Sequence, residues 1–145
     1  MTHKSMSNQE VLLHHHVEKL VEICHGQARR QGWWTDLSSG ADLTCTWGAL
    51  AGHVQPPRNV GELLCLVHSE ISEAMEGARK RLADDHLPHR PMLEVELADA
   101  VIRICDMAGG LGLDLAGALA EKMSYNARRA DHTLQARAAE GGKRF

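Results

Sequence analysis

Apolar positions recur every three or four residues along most of the chain, the period of helices that bury one face. Four such stretches stand out. The first opens at Ser7, where Ser7, Asn8, Gln9 and Glu10 read as a capping box. Val11, Leu12, Leu13, Val17, Leu20, Val21 and Ile23 follow as a broad apolar face. Gly32 closes this helix just after the basic pair Arg29 and Arg30. The second starts at Asn59, again with a capping pattern through Glu62, and carries Leu63, Leu64, Val67, Ile71, Ala74, Met75 and Ala78 at helical spacing. It ends in Arg79, Lys80 and Arg81. The third has Pro91 in its first turn, Leu93, Leu97, Val101, Ile104, Cys105 and Ala108 on its apolar face, and Gly109 and Gly110 as its stop. The fourth runs from an Asp114 cap to about Arg129. A long loop from about Trp33 to Arg58 joins the first two helices, and ordered loops of this length are often functional.

Composition narrows this to an all-α fold. Aromatic residues are only 3% of the chain, so Leu, Val, Ile, Ala and Met must build the core, which suits helix-on-helix packing. A length of 145 residues fits one domain, read as 1–132 with a polar tail over 133–145. The net charge of -3 gives no basic surface for a nucleic-acid polymer but leaves free nucleotides as ligands. Cys24, Cys45, Cys65 and Cys105 form no CxxC pair and are expected as buried, reduced thiols. No apolar run reaches membrane-spanning length and the first residues lack a signal-peptide core, so a cytoplasmic protein without a membrane partner is expected. His14, His15 and His16 sit about 100° apart around a helix and cannot easily share one ion, which favours a surface or interface role.

The candidate chemistry lies on the second and third helices. Glu70 and Glu73 are three apart on one, Glu96 and Asp99 three apart on the other, and residues at that spacing share a face. Side by side, the helices would gather four carboxylates whose mutual repulsion a cation relieves. An all-oxygen set favours a hard ion, Mg²⁺ first with Mn²⁺ as a substitute, and Mg²⁺ commonly binds substrate phosphates. A ferritin-like di-iron bundle would need Glu-x-x-His steps. Glu73 and Asp99 stand where those histidines would be. The bland alternative is two solvated acidic faces. Glu76 and Glu94 read as solvent-facing, while Asp106, seven residues after Asp99, lies on about the same face as a possible helper.

These residues resemble the signature of the MazG-like, all-alpha nucleoside triphosphate pyrophosphatase superfamily: a Glu-x-x-Glu step, here Glu70 to Glu73, then a Glu-x-x-Asp step, here Glu96 to Asp99. The similarity extends over Leu66 to Ala74, Glu96 to Leu115, and Glu121 to Asn126 with Arg129, within roughly residues 59–132. It implies a four-helix-bundle-like fold completed by pairing of subunits as a homodimer or homotetramer. It implies hydrolysis of an NTP or dNTP to the monophosphate and pyrophosphate, in nucleotide-pool house-cleaning. Glu70, Glu73, Glu96 and Asp99 are implied as Mg²⁺ ligands, with Glu70 or Glu73 orienting or deprotonating the attacking water. Lys122, Asn126 and Arg129 are implied as phosphate contacts, and their spacing puts them on one helical face. The family pattern closes with His and then Gly-Lys, whereas here Thr133 to Glu140 separate His132 from Gly141, Gly142, Lys143 and Arg144. Lys143 would reach a phosphate if the tail folds back. A phosphoribosyl-ATP pyrophosphohydrolase-like enzyme and a catalytically silent nucleotide-binding module are the rival readings.

The base needs a separate site. Trp33, Trp34 and Trp47 cluster around the long loop and are candidates for stacking on it, the alternative being core or interface packing.

Overall fold

The computed structural model describes residues 7–49 and 55–143. Five α-helices follow in order: α1 Asn8–Arg30, α2 Val60–Lys80, α3 Met92–Gly110, α4 Leu115–Ala127 and α5 Leu134–Ala138. Short 3₁₀ turns occupy Trp47–Ala49 and Ala130–His132. Extended pairing among the described residues is limited to the isolated bridges Thr35 with Asp42 and Ala83 with Pro91. The fold is therefore all-α, as the periodicity predicts.

The helix ends follow from their caps. The Ser7 backbone N–H donates to Glu10 Oε2 at 2.6 Å and Glu10 N–H donates to Ser7 Oγ at 3.3 Å, a reciprocal capping box. Asn59 Oδ1 accepts from the N–H groups of Gly61 and Glu62, and the Asn59 amide donates to Glu62. Asp114 caps α4 by accepting from Gly117 N–H at 2.8 Å. At the other end of α2, Arg81 adopts a left-handed conformation, φ 55°, and closes the helix without the usual glycine. The region expected to be a polar tail, 133–145, carries the short α5, just after the Ala130–His132 turn.

Two compact units result. One spans Leu20 to Leu113; the other combines the start of α1, through Lys19, with the chain from Asp114 onward. In the second, Ala116 and Ala120 are the buried residues of α4. In the first, α2 and α3 form an antiparallel pair: Gly77 lies against Met92, and Glu70 meets Arg103. Small residues set their spacing. Ala74 and Gly77 on α2 and Ala100 on α3 are buried, and a Cβ on Gly77 would stand 3.0 Å from Met92 Cβ. Close backbone approach lets short acidic side chains reach across the pair.

The core cluster of this unit joins Ala28, Trp34, Leu63 and Leu111. The loop after α1 is tied to the end of α3, where Cys45 N–H donates to Gly110 O and Trp47 N–H donates to Leu111 O. Gly110 is required here, because a Cβ on it would lie 2.1 Å from Trp34 Cζ2.

Two packing expectations need correction. All four cysteines are free, but Cys65 is exposed and Cys45 is half-buried; only Cys24 and Cys105 are buried. Cys65 adjoins Leu64 and Leu66 on α2, both exposed. The apolar face of α1 is likewise largely open, with Val11, Leu12, Leu20 and Ile23 exposed. No helix among the described residues is long and apolar enough to cross a membrane.

Candidate metal centre and adjoining cavity

The α2–α3 pairing brings Glu70, Glu96 and Asp99 together, with one oxygen from each lying within 4.8 Å of the others. Glu70 and Glu96 are buried, at 6% and 7% exposure, while Asp99 stands at the rim. Glu73, the fourth expected ligand, is exposed and outside this group of three. It is near enough for its charge to act on Glu96.

The electrostatics are those of crowded carboxylates. Burial, first, and then the charges of Glu73, Glu70 and Asp99 push Glu96 from its ordinary 4.5 up to about 7. Burial also raises Asp99, helped by Glu70 and Asp84 and opposed by Arg103. The counter-charge from protein is Arg103, whose Nε donates to Glu70 Oε1 at 2.5 Å. Among the described residues this is the guanidinium paired with the group, and one against this many carboxylates leaves it short of positive charge. An octahedral Mg²⁺ spans about 4.2 Å between opposite ligands, so oxygens this close need only a small contraction to share one ion. The donor set fits a hard divalent cation and does not specify which.

Beside the centre opens a cavity of about 620 Å³. Its α3 wall is Asp99, Ile102, Arg103 and Asp106; α1 supplies Ile23, Cys24, Gln27, Ala28 and Gln31; Leu63, Leu66, Trp33 and Arg58 complete it. Asp99 belongs to both the carboxylate group and the cavity wall, so the two are one continuous site.

The three tryptophans separate here. Trp33 is 65% exposed and lines the cavity, available as a stacking surface. Trp34 is 1% exposed. Its ring meets His25 edge-on at 5.4 Å and Arg58 at 5.2 Å, and its Nε1–H donates to Asp106 Oδ1 at 2.7 Å. Trp34 is thus a core side chain and offers no open face to a base, which corrects its place among the stacking candidates. Trp47 lies half-exposed on the 3₁₀ turn and is not among the residues lining the cavity.

The expected phosphate contacts all belong to the other compact unit. Lys122 Nζ lies 4.9 Å from the Tyr125 ring centre. Asn126 Oδ1 is buried without a hydrogen-bond partner. Arg129 and Lys143 converge on Asp131, at 2.6 and 3.7 Å, and the Arg129 guanidinium holds Asp131 down at about 2. Arg144 lies outside the described residues.

Sequence reasoning missed Arg103, Arg58, Gln27 and Gln31. Arg103 was within reach, since it follows Asp99 by four and Glu96 by seven, on the same helical face. The contributions of Arg58 and the two glutamines depend on how the loop and α1 pack and carry no local signal. Asp106, expected as a helper to the metal, instead binds Trp34 and His25.

Comparison of the chain with protein-family models, with curated proteins and with solved structures returns no match.

Proposed function

We propose that the chain is a Mg²⁺-dependent nucleoside triphosphate pyrophosphohydrolase of the MazG-like type, converting an NTP or dNTP to the monophosphate and pyrophosphate. One observation carries this reading: Asp99 joins a buried carboxylate group suited to a hard cation to a cavity of about 620 Å³ with a tryptophan on its wall. That combination suits a ligand with phosphates at one end and a flat ring at the other.

In this reading Glu70, Glu96 and Asp99 hold Mg²⁺, with Glu73 beside them. The ion when bound supplies charge neutralisation to the phosphate oxygens. Glu73, exposed and outside the close group, orients the attacking water and accepts its proton. The water oxygen bonds to the α-phosphorus, the α–β bridging bond breaks, and its electron pair leaves with pyrophosphate. Arg103 holds Glu70 in place from the cavity side. Trp33 stacks on the base.

The test is pyrophosphate release across a panel of NTPs and dNTPs with Mg²⁺. Release that requires the metal and vanishes in Glu73→Gln, with helical circular dichroism intact, is expected. Wild-type-like turnover in that variant would remove the role given to Glu73. Absence of release from every nucleotide would favour a silent binding module.

Subunit pairing belongs to the same proposal. Leu64, Ile71 and Met75 on α2 and Leu97 and Val101 on α3 are exposed, Met75 at 68%, and at these spacings they form apolar stripes. Light scattering after size exclusion should give a dimer or tetramer, and Met75→Glu should weaken it. A monomer at micromolar concentration would refute the pairing.

A further inference from the structure

Asp106 is held in a way that the metal chemistry does not require. Trp34 Nε1–H donates to its Oδ1 at 2.7 Å, and His25 Nδ1 lies 2.9 Å from the same oxygen. A carboxylate only accepts, so the His25 nitrogen at that contact carries the proton. Two donors on different elements, α1 and the loop behind it, thus fix one oxygen of a side chain on α3. Among the described residues, the hydrogen bonds to this carboxylate fall on Oδ1. Asp106 also lines the cavity that Asp99 opens, two helical turns further along the same face of α3. With Oδ1 held by two donors, the carboxylate of this cavity-lining residue is oriented in advance, and its second oxygen is the acceptor a ligand would use.

We infer that Asp106 determines base specificity by accepting a hydrogen bond from an exocyclic amino group, so that the site selects nucleotides with amino-bearing bases over their oxo counterparts. The inference rests on the hydrolase reading above and adds the class of base to it. The chemistry is one of sign. An amino group presents N–H to Oδ2 and is accepted. A carbonyl oxygen at the same position faces a carboxylate oxygen, so two acceptors meet with no proton between them. A site built around a buried polar group rejects the wrong partner far more strongly than an apolar pocket does. The cavity also carries donors for the neighbouring ring nitrogen of such a base, in the side-chain amides of Gln27 and Gln31 and the guanidinium of Arg58. Anchoring Trp34 needs only one oxygen, and an asparagine would supply it. Anchoring and base reading therefore respond differently to one substitution.

The experiment measures kcat/KM with Mg²⁺ for two pairs that differ only in amino against oxo: CTP with UTP, and ATP with ITP. The wild type should favour the amino member of at least one pair by about tenfold or more. Asp106→Asn keeps Oδ1 for Trp34 and His25 but turns an N–H₂ donor toward the cavity, so the preference should collapse or invert. Binding of CMP against UMP to the wild type, followed by Trp fluorescence, reads the same discrimination without any variant and should favour CMP if the pyrimidine pair is the one selected. Hydrolysis of both members at equal efficiency in both pairs overturns the inference while leaving the hydrolase reading intact. A preference that survives unchanged in a folded Asp106→Asn variant also overturns it. Failure to hydrolyse or bind any of the four nucleotides or their 2′-deoxy counterparts overturns this inference, and failure across the whole NTP and dNTP panel overturns the hydrolase reading with it.

Discussion

Glu96→Gln should make the metal-free protein more stable at pH 8 while destroying its ability to gain stability from Mg²⁺. Glu96 sits 7% exposed beside Glu70, Asp99 and Glu73, and its carboxyl is raised from 4.5 to about 7. A shift of that size corresponds to roughly 3 kcal/mol. Solvent around the rim screens it, and on the order of 1–2 kcal/mol is expected in practice. The sign follows from linkage. Between pH 4.5 and about 7 the folded state keeps a proton that the unfolded chain has released. This group's favourable contribution is full below 4.5 and is lost as pH rises through 7. Glutamine is uncharged throughout and avoids the loss. Urea denaturation in EDTA should therefore show the variant ahead by about 1–2 kcal/mol at pH 8, with the gap closing toward pH 4. Adding Mg²⁺ at pH 8 should stabilise the wild type and leave the variant nearly unmoved, because ligand binding to the native state shifts the equilibrium only where a site exists. A variant less stable than wild type at pH 8 in EDTA, or a gap independent of pH, would refute the picture of mutually repelling carboxylates.

Two further substitutions test the surroundings of the site. Arg103→Met retains the aliphatic stem but leaves Glu70 buried without its guanidinium partner; a loss of about 1–2 kcal/mol in EDTA is expected together with several-fold tighter Mg²⁺ binding by calorimetry, and weaker Mg²⁺ binding would contradict it. Gly110→Ala places a Cβ 2.1 Å from Trp34 Cζ2, so thermal unfolding should show a loss of about 2–4 kcal/mol, and a neutral result would mean that Trp34 has room to move.

The helices and their starts were legible because caps are local. Ser7 with Glu10, Asn59 with Glu62 and Asp114 each meet their backbone partners within three residues, and short-range patterns capture such contacts. The acidic pairs were legible for the same reason, since a three-residue step puts two side chains on one face whatever else happens. Which oxygens converge was not legible. That depends on the closeness of α2 and α3, set by Ala74, Gly77 and Ala100, and it leaves Glu73 just outside the group. The tryptophans make the limit plainer. Trp33 and Trp34 are adjacent and chemically identical, yet one is 65% exposed and the other 1%. The choice is made by distant groups: Gly110 clears space for one ring and Asp106 accepts its N–H.

The face of α3 explains why these features belong together. Glu96, Asp99, Arg103 and Asp106 follow one another at steps of three and four, so they form a single stripe. The first two carry the carboxylate group, the third balances Glu70, and the last ends on the cavity side beneath Trp34. Asp99 and Asp106 are two turns apart, about 10 Å along the axis. On the proposed reading, a rigid helix fixes the distance between the carboxylate group that would take a cation and the Asp106 carboxylate that would read a base, with no loop able to vary it. Sliding α3 by one residue against α2 would misplace both at once. In such an arrangement, substitutions that shift α3, such as those at Gly77 or Gly110, should alter metal affinity and base preference together, whereas changes confined to Asp106 should alter base preference alone.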